Sequence, residues 1–432
     1  LKNFFKLLSD LRHITMCEAG YGHLVFRFTS FQNVLGRLMG EIGKIKFGDI
    51  DSVIFGQPAA EAVVGEIMRL GAERVFLMVS ATLNRETEEV IKLQKAIGDK
   101  LVGVFDKIGA HTPRQDVVFA AEEVRRLKAD LIVTFGGGSV TDGAKAVGLC
   151  IGNGVQKPED MDIFRSRLDD NGTLLAPNFA GPGIRQVSVP TTLSAGEFSD
   201  KVGVTDERSN TKEIFTHPNI ISRSVILDPK PTLHTPEWLF LSTGVRAVDH
   251  CVEGICSNES NVYGDALALH GLSLLSEGLT RVKSEPSNLS ARLDCQMGAW
   301  LSMGPLAHGV PMGASHGIGY ILGAGFDIPH GHTSCIMLPA VMRWNNSFNA
   351  DRQAKAAGAI GQIKGAASGT AADLLDALIT QLEMPRRLSA VGIGPEHFIS
   401  ISKQALNTPW VPRNPRPIKS TDQVIEILKL AA

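Results

Sequence analysis

From residue 55 onward, short unbroken apolar runs alternate with stretches whose apolar positions recur at helical spacing. Arg74–Ser80 predicts a strand, residues 86–97 a helix and Leu101–Phe105 a second strand. Asp116–Lys128 predicts an amphipathic helix with Val117, Ala120, Ala121, Val124 and Leu127 on one face. Asp130–Phe135 predicts the next strand; it runs straight into Gly136-Gly137-Gly138-Ser139 and a helical stretch at Thr141–Leu149. The polar segment 153–183, with Pro158, Pro177 and Pro182, reads as a surface insertion before a strand at Gln186–Val189. Continuous β-rich runs separated by helices are the pattern of a parallel sheet covered on both faces. Beyond Pro236 the strand pattern stops, and helices are predicted at Asp265–Leu279, Ala291–Leu306, Ala354–Ala367 and Ala371–Leu382. The predicted fold class is α/β plus all-α: an extension over 1–50, a parallel-sheet domain over 51–235 and a helical domain over 236–432.

Composition narrows the function classes. Lys plus Arg number 43 and Asp plus Glu 45, a net charge of −2 that gives no general drive toward nucleic acid or anionic lipid. With 44% hydrophobic and 20% charged residues the composition is globular and not that of a disordered chain. No apolar run reaches the ~18 residues of a membrane span. The cysteines (Cys17, Cys150, Cys251, Cys256, Cys295, Cys335) include no CxxC pair, so a disulfide framework or zinc knuckle is not expected, and the chain reads as reduced, soluble and cytoplasmic. Leu1–Leu11 alternates apolar and basic residues like an amphipathic helix without the cleavage site of a secretory signal. A mitochondrial presequence stays open as an alternative, with Asp10 and Glu18 arguing against it.

Candidate chemistry begins at the glycine run. Between a strand and a helix, Gly136, Gly137, Gly138 and Ser139 would let a phosphate approach the backbone and the helix N-terminus. The run matches neither G-x-G-x-x-G, since Thr141 stands at the third glycine, nor a Walker loop, so alone it is equally an ordinary tight turn. Pro190-Thr191-Thr192-Leu193-Ser194-Ala195-Gly196-Glu197 crowds small and hydroxyl residues after another strand, at the sheet edge where α/β folds bind ligands. His250, His316 and His330 lie in apolar or glycine-rich settings and could converge on a metal or a substrate, although a lone histidine of this kind is more often a satisfied core residue. Gly313-Ala314-Ser315-His316-Gly317 fits G-x-S-x-G, but no strand is predicted in front of it, which argues against a hydrolase.

Taken in order, these segments resemble the iron-containing alcohol dehydrogenase family, in particular its maleylacetate reductase-like branch. The resemblance runs from about Phe55 to Ile418. It takes in His111-Thr112-Pro113, the glycine run with Asp142 and Lys145, Pro190-Thr191-Thr192 with Glu197, and Asp228-Pro229. It continues through Thr243-Gly244 with His250 and Glu253, Ser315-His316-Gly317-Ile318-Gly319, Pro329-His330-Gly331, Leu338-Pro339 with Asn345, and Asn414-Pro415-Arg416-Pro417. The resemblance implies a dehydroquinate synthase-like fold: an N-terminal dinucleotide-binding domain and a C-terminal helical catalytic domain, with the active site in the cleft near residue 235. It implies an NAD(P)H cofactor, with the glycine run and Ser139 at the pyrophosphate and Asp142 nearby. Thr191, Thr192 and Ser194 would lie toward the nicotinamide and Lys212 at the cofactor ribose. It also implies a homodimer as the only macromolecular partner, and a small-molecule substrate.

Two positions depart from the family pattern. Family members hold a metal with an Asp one helical turn before the first histidine, where this chain has Arg246. Residues i and i+4 share a helix face, so Arg246 and His250 should enter one pocket, and an arginine repels a cation that it cannot ligate. Maleylacetate reductases also lack that Asp and are regarded as metal-independent. Tyr320 stands where many members carry a relay histidine. The expected catalytic set is therefore Arg246, His250, His316, Tyr320 and His330, with no metal; a retained metal would fall to His250, His316 and His330. The expected activity is nicotinamide-dependent reduction of a carbonyl or enone-type C=C on a substrate carrying a carboxylate. A lyase, isomerase or cyclising enzyme, a three-histidine metal-dependent dehydrogenase, and a dinucleotide-binding pseudoenzyme are the alternatives. The turn Val79–Arg85 carries no carboxylate, so NADPH should serve at least as well as NADH, with Arg85 able to meet a 2′-phosphate.

Overall fold

Strands form where apolar runs are buried on both faces. The structure, a computed structural model, describes residues 45–169, 174–209 and 211–432, so the expected helix at Leu1–Leu11 lies outside the described residues. The α/β lobe begins with β1 (Ser52–Phe55), α1 (Ala59–Leu70), β2 (Val75–Val79), α2 (Ala81–Glu86), α3 (Glu89–Ile97) and β3 (Leu101–Phe105). It continues with α4 (Arg114–Arg126), β4 (Leu131–Gly136), α5 (Gly138–Gly152) and β5 (Arg185–Pro190), and ends with a hairpin of β6 (Lys201–Asp206) and β7 (Thr211–Thr216) and the strand β8 (Ser224–Leu227). The main sheet is parallel with order β1-β8-β5-β4-β2-β3. Period-2 alternation splits its core: Phe76, Met78 and Ile132 pack against Val117, Val124 and Val147 of α4 and α5. Val75, Leu77 and Val133 pack on the other face against Val63, Ile67, Val90 and Leu93 of α1 and α3.

This topology sets the place of the site. From β2 the chain moves outward to β3, then returns to lay β4 on the opposite side of β2, so the strand order reverses between β2 and β4. A crevice opens at the carboxyl ends of strands at such a switch point. Val79 pairs with Phe135 and Gly136 with Pro190, which brings the loops after β2, β4 and β5 side by side.

After Leu227 the described chain is helical: α6 (Glu237–Cys256), α7 (Val262–Ser284), α8 (Leu289–Ser302), α9 (Gly304–Ala307) and α10 (Ala314–Phe326) are followed by α11 (His330–Ile360), α12 (Ala371–Gln381), α13 (Phe398–Ala405) and α14 (Thr421–Leu430). Residues 240–256 of α6 are buried all round, as expected of a helix at the centre of a bundle. Both lobes belong to one compact unit, Phe47–Ala432. Three expectations need adjustment. The predicted helix over 86–97 breaks at Thr87, which is extended and whose Oγ donates to Leu83 O at 2.7 Å. The helix expected to reach Ala367 stops at Gly361, whose φ of 76° suits glycine. The supposed surface insertion contains a 3₁₀ turn at Pro158–Ile163 whose Met161 is fully buried.

Candidate active site

A cavity of about 750 Å³ opens at the carboxyl edge of the sheet and continues between the lobes. Every residue expected at the site lines it except Gly136. Gly136 ends β4, and a Cβ there would lie 3.1 Å from Ser80 N, so glycine serves strand packing at that position and not phosphate approach. Gly137 and Gly138 do form a cradle: a Cβ on Gly137 would sit 3.1 Å from the Thr192 methyl, and one on Gly138 3.5 Å from Ser194. The first turn of α5 has no side-chain cap and no acidic residue, leaving its N–H groups and dipole available to an anion. That cradle, beside Ser139, Thr191, Thr192 and Ser194, fits a dinucleotide pyrophosphate. Asp142, one turn further on, lies 3.5 Å from Lys145 Nζ. Lys145 is buried and donates to Lys201 O at 2.9 Å and to Gly196 O, tying the loop after β5 to α5. Burial lowers its pKa and pushes that of neighbouring Glu197 up to about 7.

Lys212 reaches the cavity from β7 across Gly203, where a Cβ would collide with Lys212 Cε. Its Nζ meets His330 Nε2 at 3.3 Å, which sets it against a histidine of the helical lobe. Burial is the main influence lowering its pKa, with the charge of Arg246 acting in the same direction. The turn at Ser80–Leu83 lines the cavity as expected, but Arg85 is not unpaired: its Nε lies 3.4 Å from Asp106 Oδ2, which also accepts from Asn84 Nδ2 at 3.0 Å. A carboxylate from the end of β3 thus stands beside the turn, and the absence of one in Val79–Arg85 did not reveal it.

One wall of the cavity carries a polar stripe from α6. Arg246, Asp249, His250 and Glu253 recur at helical spacing on α6. Arg246 is 9% exposed; its Nη1 donates to Ser334 Oγ at 3.0 Å and lies 3.9 Å from Asp249 Oδ2. It thus lines the cavity and at the same time stands within ion-pair distance of Asp249. Asp249 Oδ2 accepts from Ser315 Oγ at 2.8 Å and Ser334 Oγ at 2.6 Å. Glu253 caps α10 from outside, accepting the N–H groups of Gly313 (2.9 Å), Ser315 (2.9 Å) and His316 (3.3 Å). It also accepts from His316 Nδ1 at 2.8 Å, while His316 Nε2 has no partner among the described residues. Ser315 is thus a buried donor at a helix start preceded by a loop, and no nucleophile elbow exists. The His250 and His316 rings lie 4.9 Å apart, and Tyr320 stacks near Trp410 at 4.5 Å.

Burial, reinforced by Arg246, holds His250 and His330 well below the usual histidine range and His316 down to about 3. Burial raises the Tyr320 phenol, and it likewise raises the carboxyls of Asp249 and Glu253. Burial thus favours the neutral form of the three histidines, and the fixed positive charge on this wall is the guanidinium.

The three-histidine set expected for a retained metal is not gathered in one place among the described residues. Among the described residues, the group of potential ligand atoms gathered within 4.8 Å is Asp249, Glu253 and His316, not the three histidines expected to serve a retained metal. Both Glu253 oxygens and Asp249 Oδ2 are committed to the donors above, and Arg246 already stands against Asp249. Asp249, adjacent to His250 on α6 and about 100° away from it around the helix, faces Ser315, Ser334 and His316. His111, Lys201, Trp238 and Trp410 also line the cavity and were not expected there.

Comparison with known proteins bears on the same regions. Residues 51–229 match the family model described as iron-containing alcohol dehydrogenase, and residues 240–432 the one described as Fe-containing alcohol dehydrogenase family, C-terminal. The dehydrogenase FUM7 of Gibberella moniliformis is 34% identical over 413 residues, 88% of this chain and 96% of that one. A maleylacetate reductase of Burkholderia cepacia is 28% identical over 370 residues, covering 86% of this chain and 92% of its own. Among solved structures, the maleylacetate reductase from Agrobacterium tumefaciens superposes with a TM-score of 0.75 at 25% identity, over 91% of this chain and 98% of that one.

Proposed function

The chain belongs to the iron-containing alcohol dehydrogenase family, in its maleylacetate reductase-like branch, and is an NAD(P)-dependent oxidoreductase; from that premise we propose that it reduces a carbonyl or enone-type carbon of a carboxylate-bearing substrate without a metal ion. The observation that carries this reading is Arg246: a guanidinium one turn before His250 that lines the cavity, donates to the Ser334 hydroxyl at 3.0 Å and stands 3.9 Å from Asp249. Similarity to proteins named maleylacetate reductase supports an acidic substrate. The two matched regions flank residue 235, which supports the proposed division into two domains.

When bound, the reduced nicotinamide supplies a hydride. Gly137, Gly138 and Ser139 hold the pyrophosphate, and Thr191, Thr192 and Ser194 form the wall toward the nicotinamide. Arg246 stabilises the negative charge that develops on the substrate oxygen, or clamps its carboxylate, through charge-assisted hydrogen bonds. His316, its tautomer set by Glu253, and His250 are neutral groups that orient the acceptor, while Tyr320 donates the proton. The partner we propose is a second copy of the chain.

Absorbance at 340 nm, followed with NADPH and a panel of 2- and 4-oxo acids, tests the reaction. Oxidation of the cofactor is expected. Substrate turnover at constant absorbance would favour a lyase or isomerase instead. Activity should survive dialysis against EDTA, and protein purified without chelators should carry no stoichiometric metal by mass spectrometry; EDTA-sensitive activity with bound metal would overturn metal independence. The same assay reads cofactor choice. Asp106 is paired with Arg85 and hydrogen-bonded by Asn84, so NADPH should still be accepted at least as well as NADH, and Arg85→Ala should lower kcat/KM for NADPH more than for NADH. A marked NADH preference would count against this.

A further inference from the structure

His111 and Thr112, between β3 and α4, are consecutive non-glycine residues with left-handed backbone, at φ 61° and 58°. For β-branched Thr112 this is a genuine outlier, and such strain persists only where the surroundings over-determine it. Here they do. Thr205 donates from N to Thr112 O at 3.0 Å and from Oγ1 to His111 O at 2.8 Å, and Thr112 Oγ1 donates to Ser139 O at 3.3 Å. Glu207 accepts the first N–H groups of α4, from Arg114 at 3.2 Å and Gln115 at 3.1 Å. The fully buried Arg114 side chain is fixed by Pro158 O, Asp162 and Glu213.

The strained turn carries the His111 ring across the cavity to the helical lobe. Its Nε2 lies 3.4 Å from Oδ1 of Asp327, itself left-handed at φ 55° as the residue that ends α10. The ring meets His330 edge-on, with centroids 5.6 Å apart and planes at 89°. His330 Nδ1 has no hydrogen-bond partner among the described residues, its Nε2 lies 3.3 Å from Lys212 Nζ, and its ring also packs against Tyr320 with centroids 5.8 Å apart. The ring's orientation therefore depends on what packs against it. The charged groups facing His111 are Lys212 from β7 and Asp327 from α10.

We propose that His111 is a positioning residue of the reduction: with Asp327 it joins the two walls of the cavity at the substrate end, and its edge-on contact holds the His330 ring against Lys212. The kinetic consequence rests on the reductase reading above; the consequence for stability does not. His111→Gly relieves the left-handed strain, so its midpoint of thermal unfolding should rise by about 1 to 3 °C. Its kcat/KM for the oxo substrate should nevertheless fall by about 10- to 100-fold, with KM for NADPH unchanged. His111→Asn, which tolerates the same backbone and keeps a donor, should recover part of that loss. Asp327→Asn, at a side chain 92% exposed, should leave the unfolding midpoint unchanged and raise KM for the oxo substrate by about 2- to 5-fold. Adding it to His111→Gly should change nothing further, because the partner is already gone. Additive effects, wild-type kinetics in His111→Gly, or a lowered unfolding midpoint in that variant would overturn the proposal. Absence of cofactor oxidation by the wild-type chain would instead strike the reductase reading, and the unfolding midpoints would still decide whether the His111 backbone is held under strain.

Discussion

Arg246→Met should lower kcat/KM for the reduction by about 10²- to 10³-fold, the loss seen when one preorganised oxyanion donor is removed. The size of the effect follows from the setting. The guanidinium is 9% exposed and shares its wall with three histidines that burial keeps neutral, so no other fixed positive charge on α6 can replace it. Methionine keeps the length and apolar stem of the side chain, and the change therefore tests charge and hydrogen bonding more than packing. Some stability is expected to go as well. Asp249 loses its nearest cation, and Ser334 Oγ, which Arg246 donates to, also donates to Asp249, so a cost of about 1 to 3 kcal/mol fits a buried hydrogen-bond loss. A thermal melt separates that cost from the catalytic one. Lysine should not rescue, because an ammonium cannot reproduce the planar fork. Arg246→Asp is the converse test: it restores the ligand pattern of the family, and uptake of a divalent metal with loss of the native activity is expected. Near-wild-type turnover by Arg246→Met would show that the guanidinium does not serve the reaction.

The parts of this molecule that could be read from its sequence are those whose cause is local. Val75–Val79 stands out because a strand covered on both faces needs an unbroken apolar run. β8 is only four residues long, and the β6–β7 hairpin mixes Lys201, Thr205, Lys212 and Glu213 with its apolar positions, so neither left a periodic signal. The same division holds at the site. The glycine cradle, Thr191–Thr192 and the pair Arg246–His250 follow from strand-to-helix turns and helix spacing. Asp249 and Ser334 acquire their roles only when α11 packs beside α6, and Asp106 reaches Arg85 only because β3 flanks β2. His111 was visible as part of a motif. Its backbone conformation was not, since nothing in a His-Thr pair announces left-handed geometry as a glycine would.

Tyr320→Phe should reduce kcat by about 10²- to 10³-fold while leaving the binding of NADPH intact, within the range of a lost general acid. Reduction of a carbonyl consumes a proton as well as a hydride, and the wall offers few groups that hold one. His250, His316 and His330 are held below the usual histidine range, so at pH 7 they carry no acidic proton beyond their single N–H. The Tyr320 phenol lines the cavity four residues after His316, and burial raises its pKa, the direction that keeps it protonated. The sign of the pH dependence follows. If Tyr320 is the acid, kcat for reduction stays level from about pH 6 to 9 and falls only as the pH climbs toward the phenol's raised pKa. If a histidinium were the acid, kcat would already be falling with rising pH below 6.5, because depressed histidines lose their proton there. A plateau across neutrality in the wild type, with the residual rate of Tyr320→Phe no longer falling at high pH, is the expected result; an inflection at acidic pH that persists in Tyr320→Phe would return the role to a histidine.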